Sequence, residues 1–131
     1  MMKVPENKQQ LPLPHLLSLL CLLFCLGLPV YAQSWYDDAR NLVSRTQEDL
    51  RHAEDFTKGK KDERERIGNA QKHLSEFDRA LSRNKFDKGK LDEAIEDIKD
   101  VIDHNTLAVE DRDALTRDIE SLRRMRATRG K

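Results

Sequence analysis

The sequence predicts an all-α protein: an up-down, antiparallel bundle of four helices, built as two helical hairpins, that follows an N-terminal signal peptide. Three observations indicate this fold. Apolar residues recur at helical spacing through residues 33–131, strand-type alternation is nowhere sustained in this region, and the predicted helices are joined by only four or five residues. Connections this short make consecutive helices run antiparallel.

The N-terminal segment has the three parts of a secretory signal. Lys3 and Lys8 precede a stretch without charge from Leu16 to Val30, and Val30 and Ala32 occupy the −3 and −1 positions of a cleavage site. The uncharged stretch of 15 residues is shorter than the ~20 residues that span a bilayer as a helix.

We therefore predict a signal peptide over residues 1–32 and a helical bundle domain over residues 33–131, with a basic C-terminal tail from about residue 127. The protein is then exported to the periplasm or secreted, and it contacts the membrane only transiently, through the signal peptide. The alternative is an uncleaved N-terminal segment that anchors the protein in the inner membrane.

Composition excludes several classes of site in the predicted mature domain. Both cysteines, Cys21 and Cys25, lie in the signal peptide, which excludes disulfides, a cysteine nucleophile and thiolate metal ligands from residues 33–131. That region has 22 Lys and Arg against 23 Asp and Glu. A balanced charge provides no general field for nucleic acid, so no nucleic-acid partner is predicted.

Local signals place the ends of the first two helices. The first helix is predicted to begin with Ser34 as N-cap and Asp37 at N3, and to end at the polar run TKGKK. Asp62 and Glu65 form a capping-box pair that predicts the start of the second helix. Gly68 on this helix is interpreted as simply tolerated, at a cost of about 1 kcal/mol against alanine.

The third helix has the clearest start in the chain. Asp87 is its predicted N-cap, Phe86 and Leu91 are spaced as a hydrophobic staple, and His104 and Asn105 end it.

The fourth helix is predicted from about Val109 to Arg126. The apolar stripes of the four helices give the predicted core: Ala39, Leu42, Val43, Thr46, Leu50, Ala53 and Phe56; Ile67, Ala70, Leu74, Phe77 and Leu81; Leu91, Ala94, Ile95, Ile98, Val101 and Ile102; Leu115, Ile119, Leu122 and Met125.

No catalytic, cofactor-binding or metal-binding residues are predicted. The mature histidines are His52, His73 and His104, and none has a second histidine at i+3 or i+4 on its own helix. Nucleophile motifs and glycine-rich phosphate loops are absent from the sequence, and carboxylate pairs occur by chance in a region with 23 acidic side chains. We predict that the protein is not an enzyme and has no cofactor.

Candidate partner-binding residues lie at the two ends of the mature chain. Trp35 and Tyr36 are its large amphipathic aromatics, and Arg123, Arg124 and Arg126 follow the last apolar turn. Folding the second hairpin about residue 107 also brings the acidic third helix beside these arginines. Charge matching within the hairpin therefore accounts for the same residues without a partner.

Two segments carry a resemblance to known proteins. GKLDEAIEDIKDVIDHN looks like the second helix of a tetratricopeptide repeat, but the first helix of that repeat is missing upstream. HLSEFDRALSRNKFDKGKLDEAI and HNTLAVEDRDAL resemble short exported all-helical bacterial proteins without an assigned function. This resemblance implies export and helicity, and no active site.

These inferences favour an exported, non-catalytic helical interaction or scaffold protein of the bacterial cell envelope, with a protein partner or self-association. One alternative is a holdase-like periplasmic chaperone, which would cradle unfolded chains on a shared apolar face. A second alternative, a metal-dependent hydrolase, is disfavoured by the lack of a histidine pair.

Overall fold

The computed structural model describes the backbone of residues 12–57 and 59–129, and the side chains of residues 33–57 and 59–129. It consists there of four helices without strands: α1 (Pro12–Phe56), α2 (Lys61–Leu81), α3 (Lys88–His104) and α4 (Val109–Arg129). The chain divides into two compact units, Met1–Trp35 and Tyr36–Lys131. The second unit holds the bundle, and the all-α four-helix prediction is confirmed.

Interhelical pairs show the up-down topology. Arg40 of α1 pairs with Asp78 of α2, and Arg126 of α4 pairs with Asp92 of α3. Arg45 of α1 also reaches Asp118 of α4. Along α1, Arg40 and Gln47 meet Asp78 and Ser75 of α2, and Tyr36 and Arg45 meet Arg129 and Asp118 of α4, so α1 runs antiparallel to both helices. The four helices therefore close into one bundle.

The core forms where the apolar stripes of the four helices meet. Its largest fully buried side chains come from every helix: Val43, Thr46, Leu50, Ile67, Leu74, Phe77, Leu81, Leu91, Ile98, Val101, Leu115 and Leu122. All of these were predicted to be buried. The prediction for Phe56 was wrong, because α1 ends at this residue and its ring stays 55% exposed.

The predicted N-cap at Ser34 is wrong for the chain as it stands. Helix α1 runs through this residue without a break, so Ser34 is an interior position. A serine at this point satisfies free N–H groups only where a helix begins, and here the preceding residues continue the helical turns.

The predicted capping box of α2 is also wrong. Lys60 is the N-cap residue and makes no side-chain capping bond, while Asp62 and Glu63 lie in the first turn. The cause is the preceding turn, in which Lys60 N donates to Thr57 O over 3.0 Å and Gly59 takes φ 91°. Glycine adopts this left-handed conformation without strain. The turn that it forms lets the helix begin at Lys61, before Asp62.

The remaining helix ends agree more closely with the sequence. Asp87 caps α3 by accepting a hydrogen bond of 3.1 Å from Lys90 N, and Asn105 is the C-cap residue. Helix α4 starts at Val109 as predicted but continues to Arg129, so residues 127–129 of the predicted basic tail are helical. Among the described residues, no helix is both long and apolar enough to cross a membrane.

Candidate functional site

A buried carboxyl group lies between α1 and α4. The side chain of Asp118 is only 2% exposed, and its Oδ1 accepts a hydrogen bond of 3.1 Å from Arg45 Nε. Burial raises the pKa of Asp118 to about 7, and the nearby Asp49 carboxyl adds to the rise, while Arg45 opposes it. This part of the α1–α4 contact therefore holds a proton up to about neutral pH.

A cleft of about 500 Å³ opens beside this carboxyl group. Three cations, Arg45, Arg117 and Arg124, and the acidic pair Asp49 and Asp118 contribute to its lining. Sequence reasoning placed Asp118 on α4 but did not single it out. The signal was available, since Asp118 stands one residue before Ile119 and three after Leu115, within the stripe that faces the core.

A second polar cluster joins α2 to α3. One ligand-type atom from each of His73, Glu76 and Glu93 lies within 4.8 Å of the other two. His73 Nε2 lies 3.1 Å from Glu93 Oε2, and His73 Nδ1 contacts Asp97. The sequence contains no histidine pair at helical spacing, and the carboxylates of this cluster come partly from the facing helix, so the pattern of a single helix does not indicate it.

The side chain of Lys90 completes this cluster. Lys90 Nζ lies 2.7 Å from Glu76 Oε2 and 3.5 Å from Glu93 Oε2. The hydrogen bond with Glu76 raises the pKa of Lys90 and lowers that of Glu76. A single flexible cation thus bridges two carboxylates of the cluster.

A third polar group joins the start of α2 to the end of α3 and is structural. Asn105, which is buried, donates from Nδ2 to Glu63 O over 2.9 Å and accepts from Arg66 Nε over 2.7 Å. Glu63 Oε1 in turn accepts from Thr106 N over 2.7 Å, and this bond lowers the pKa of Glu63.

The structure divides the predicted partner-binding residues. Trp35 is partly buried and lies in the N-terminal unit, whereas Tyr36 belongs to the bundle, where the Arg129 guanidinium lies 5.4 Å from its ring centre. Arg126 pairs with Asp92, as the predicted charge matching within the second hairpin requires.

The two remaining arginines are exposed. Arg124 donates to Ser121 Oγ over 3.2 Å and lines the cleft beside Asp118, and Arg123 projects from the outer face of α4.

An exposed apolar surface lies instead at one end of the bundle. Phe56 ends α1 and is 55% exposed, and Val109 begins α4 and is 70% exposed; these are the exposed large apolar side chains of the described residues. Tyr36 meets Arg129 and Arg45 meets Asp118, so α1 and α4 run antiparallel, and the end of α1 and the start of α4 lie at the same end of the bundle. We name Phe56, the partly buried Leu107 and Val109 the end surface.

Comparison with known proteins identifies no relative of this chain. No protein-family model matches the chain, and neither a curated protein nor a solved structure matches it.

Proposed function

We propose that this chain is an exported, non-catalytic interaction protein of the bacterial cell envelope, which binds a protein partner through the end surface. The exposure of Phe56 and Val109 is the observation that supports this proposal. The other large apolar side chains of the described residues are buried or partly buried in the bundle, whereas these two are exposed to solvent.

A single exposed apolar residue needs no functional explanation, because folded proteins expose many apolar atoms. Here an exposed aromatic side chain ends α1 and an exposed aliphatic side chain begins α4, and both helix ends belong to the same end of the bundle. Aromatic residues surrounded by polar ones are the usual anchors of protein interfaces. Lys60 and Glu110, both exposed, provide such a polar surrounding.

The arginines of α4 are secondary candidates in this proposal. Arg126 is engaged with Asp92, and Arg129 with Tyr36, so these charges already have partners inside the bundle. Arg123 and Arg124 remain as exposed cations that would adjust the rate of encounter with an acidic partner more than the affinity.

Export is supported by the composition of the N-terminal segment. The boundary between the two compact units falls after Trp35, three residues beyond the predicted cleavage at Ala32. Loss of residues 1–32 would leave the bundle unit intact.

Photo-crosslinking in living cells tests the interaction surface. A benzophenone amino acid is placed at position 56 or 109 of the full chain. Positions 83 and 88 serve as matched controls, since Arg83 and Lys88 are exposed at the opposite end of the bundle. We expect a defined crosslinked product from positions 56 and 109 that is absent from the controls.

The Phe56→Asp substitution provides the specificity control, because it should abolish crosslinking from position 109 while the bundle stays folded. A product of twice the chain's mass identifies self-association, and a different mass identifies a partner protein. Equal products from all four positions, or none from the end surface, would contradict the proposal. Suppression of the aggregation of many denatured clients would indicate the chaperone alternative instead.

A further inference from the structure

The cluster between α2 and α3 has the composition of a metal site that the proposed function does not use. His73 and Glu76 are spaced i and i+3 on α2, and Glu93 and Asp97 are spaced i and i+4 on α3. Because the two helices run antiparallel, the second pair faces the first. The result is one imidazole nitrogen and two carboxylate oxygens within 4.8 Å of one another.

The two ring nitrogens of His73 make this cluster more than a chance group of acids. Nδ1 contacts the Asp97 carboxylate, and Nε2 lies 3.1 Å from Glu93 Oε2. A neutral imidazole has only one N–H, so it can donate to only one of these two carboxylates. With the proton on Nδ1, the Nε2 lone pair points at a carboxylate oxygen, and a cation bound to Nε2 removes this conflict.

The role of Asp97 follows from the same geometry. Histidine ligands usually donate their other ring N–H to a carboxylate, which fixes the tautomer and the orientation of the ring. Asp97 is placed to do this for His73, and its side chain is only 21% exposed.

The charge of the cluster also favours a cation. Three carboxylates, from Glu76, Glu93 and Asp97, are accompanied by Lys90, which contacts two of them, and by Lys72, whose charge also acts on Glu76. Lys90 Nζ already bridges Glu76 and Glu93, which marks the position where positive charge is stabilised. Its side chain is 37% exposed, so it is free to swing into solvent when another cation takes this place.

We propose that this chain binds one Zn²⁺ ion through His73 Nε2 and carboxylate oxygens of Glu76 and Glu93, with Asp97 as the positioning residue and Lys90 as the displaced cation. Zinc accepts nitrogen and oxygen ligands together at about 2.0–2.2 Å in a tetrahedral arrangement. Such an arrangement separates its ligand atoms by about 3.3–3.6 Å, close to the present distance between His73 Nε2 and Glu93 Oε2. Glu93 is half-exposed, so water can reach this side of the cluster and could supply a fourth ligand.

Titration of the metal-free protein, purified without a histidine tag, tests this site. Zn²⁺ alone is the probe, and a chromophoric chelator competes for it. We expect one equivalent to bind, and we expect His73→Gln to weaken binding by about 100-fold or more because it removes the nitrogen ligand. His52→Gln and His104→Gln are matched controls that should bind as the unsubstituted protein does.

Two further variants separate the roles of the neighbours. Asp97→Asn should weaken binding by about 10–100-fold, the effect usual for a group that orients a ligand. Lys90→Met should strengthen binding by roughly 10-fold, because it removes the competing cation without changing a ligand. A purely structural role of the cluster would produce neither effect.

Thermal unfolding provides the second measurement. Saturating Zn²⁺ should raise the Tm of the unsubstituted protein and leave that of His73→Gln unchanged. If His73→Gln does not fold, Glu93→Gln replaces it, because Glu93 is half-exposed.

The proposal is overturned if no saturable 1:1 binding appears, or if His73→Gln or its replacement binds Zn²⁺ as tightly as the controls. Neither result bears on the end surface, which lies elsewhere on the bundle, so the proposed function is tested separately.

Discussion

Replacement of Asp118 by asparagine should stabilise the protein, and increasingly so as the pH rises. The amide keeps the shape of the side chain but carries no charge at any pH. In the unsubstituted protein the carboxyl group is 2% exposed, and its pKa is raised from 3.8 to about 7. The folded state therefore binds this proton more tightly than the unfolded state does.

The sign and size of the effect follow from linkage. Between about pH 4 and pH 7 the folded chain holds a proton on Asp118 that the unfolded chain has released, so the free energy of unfolding falls as the pH rises. Each pKa unit corresponds to about 1.4 kcal/mol. The rise to about 7 therefore amounts to about 4 kcal/mol, present below pH 4 and lost once the pH exceeds 7.

Urea denaturation from pH 4.5 to pH 8.5 measures this effect. We expect the free energy of unfolding of Asp118→Asn, minus that of the unsubstituted protein, to increase by about 3 kcal/mol across this range at equal m-values. Asp49→Asn removes the neighbouring carboxyl that adds to the rise, so its own curve should fall less steeply than that of the unsubstituted protein.

Asp92→Asn is the matched control, because Arg126 lowers the pKa of Asp92 and any pH-dependent effect of this substitution lies below about pH 4. Parallel curves for Asp118→Asn and the unsubstituted protein over the whole range would refute the reasoning.

Three other predictions concern stability and are checked by urea denaturation at pH 7. Gly68→Ala should stabilise the protein by about 0.5–1 kcal/mol, because nothing lies within 4 Å of the added methyl group in the middle of α2. A loss of stability would mean that another part of the protein packs against this face of the helix. Asn105→Ala should destabilise it by about 1–3 kcal/mol, because the buried contacts to Glu63 and Arg66 lose their partner; an unchanged midpoint would show that the α2–α3 network contributes nothing. Asp87→Ala should cost about 1 kcal/mol through loss of the hydrogen bond that caps α3; an unchanged midpoint would show that this cap contributes nothing.

The sequence predicts most of the bundle because the helical period repeats without interruption. In α2 the residues Ile67, Ala70, Leu74 and Phe77 alternate three and four apart, and all are buried as predicted. The same period fails at Phe56, because periodicity assigns a face to a residue but does not show where the neighbouring helices end.

The polar clusters could not be predicted from the sequence, for a different reason. His73 meets Glu93 and Asp97 only because α2 and α3 pair in one particular register, and a shift of one helical turn would separate them. The prediction of charge matching between α3 and α4 was coarser and therefore succeeded. It placed Asp92 about one turn away from Arg126, its actual partner, yet the acidic and basic segments still meet.

The intact mass of the protein recovered from the cell envelope fraction tests the central claim of export most directly. Our account predicts a single species that begins at Gln33, so that the bundle is released from its N-terminal segment and meets its partner outside the cytoplasm. A species in the membrane fraction that retains residues 1–32 would contradict cleavage and make this an anchored protein. Recovery of the uncleaved chain from the cytoplasm alone would contradict export itself.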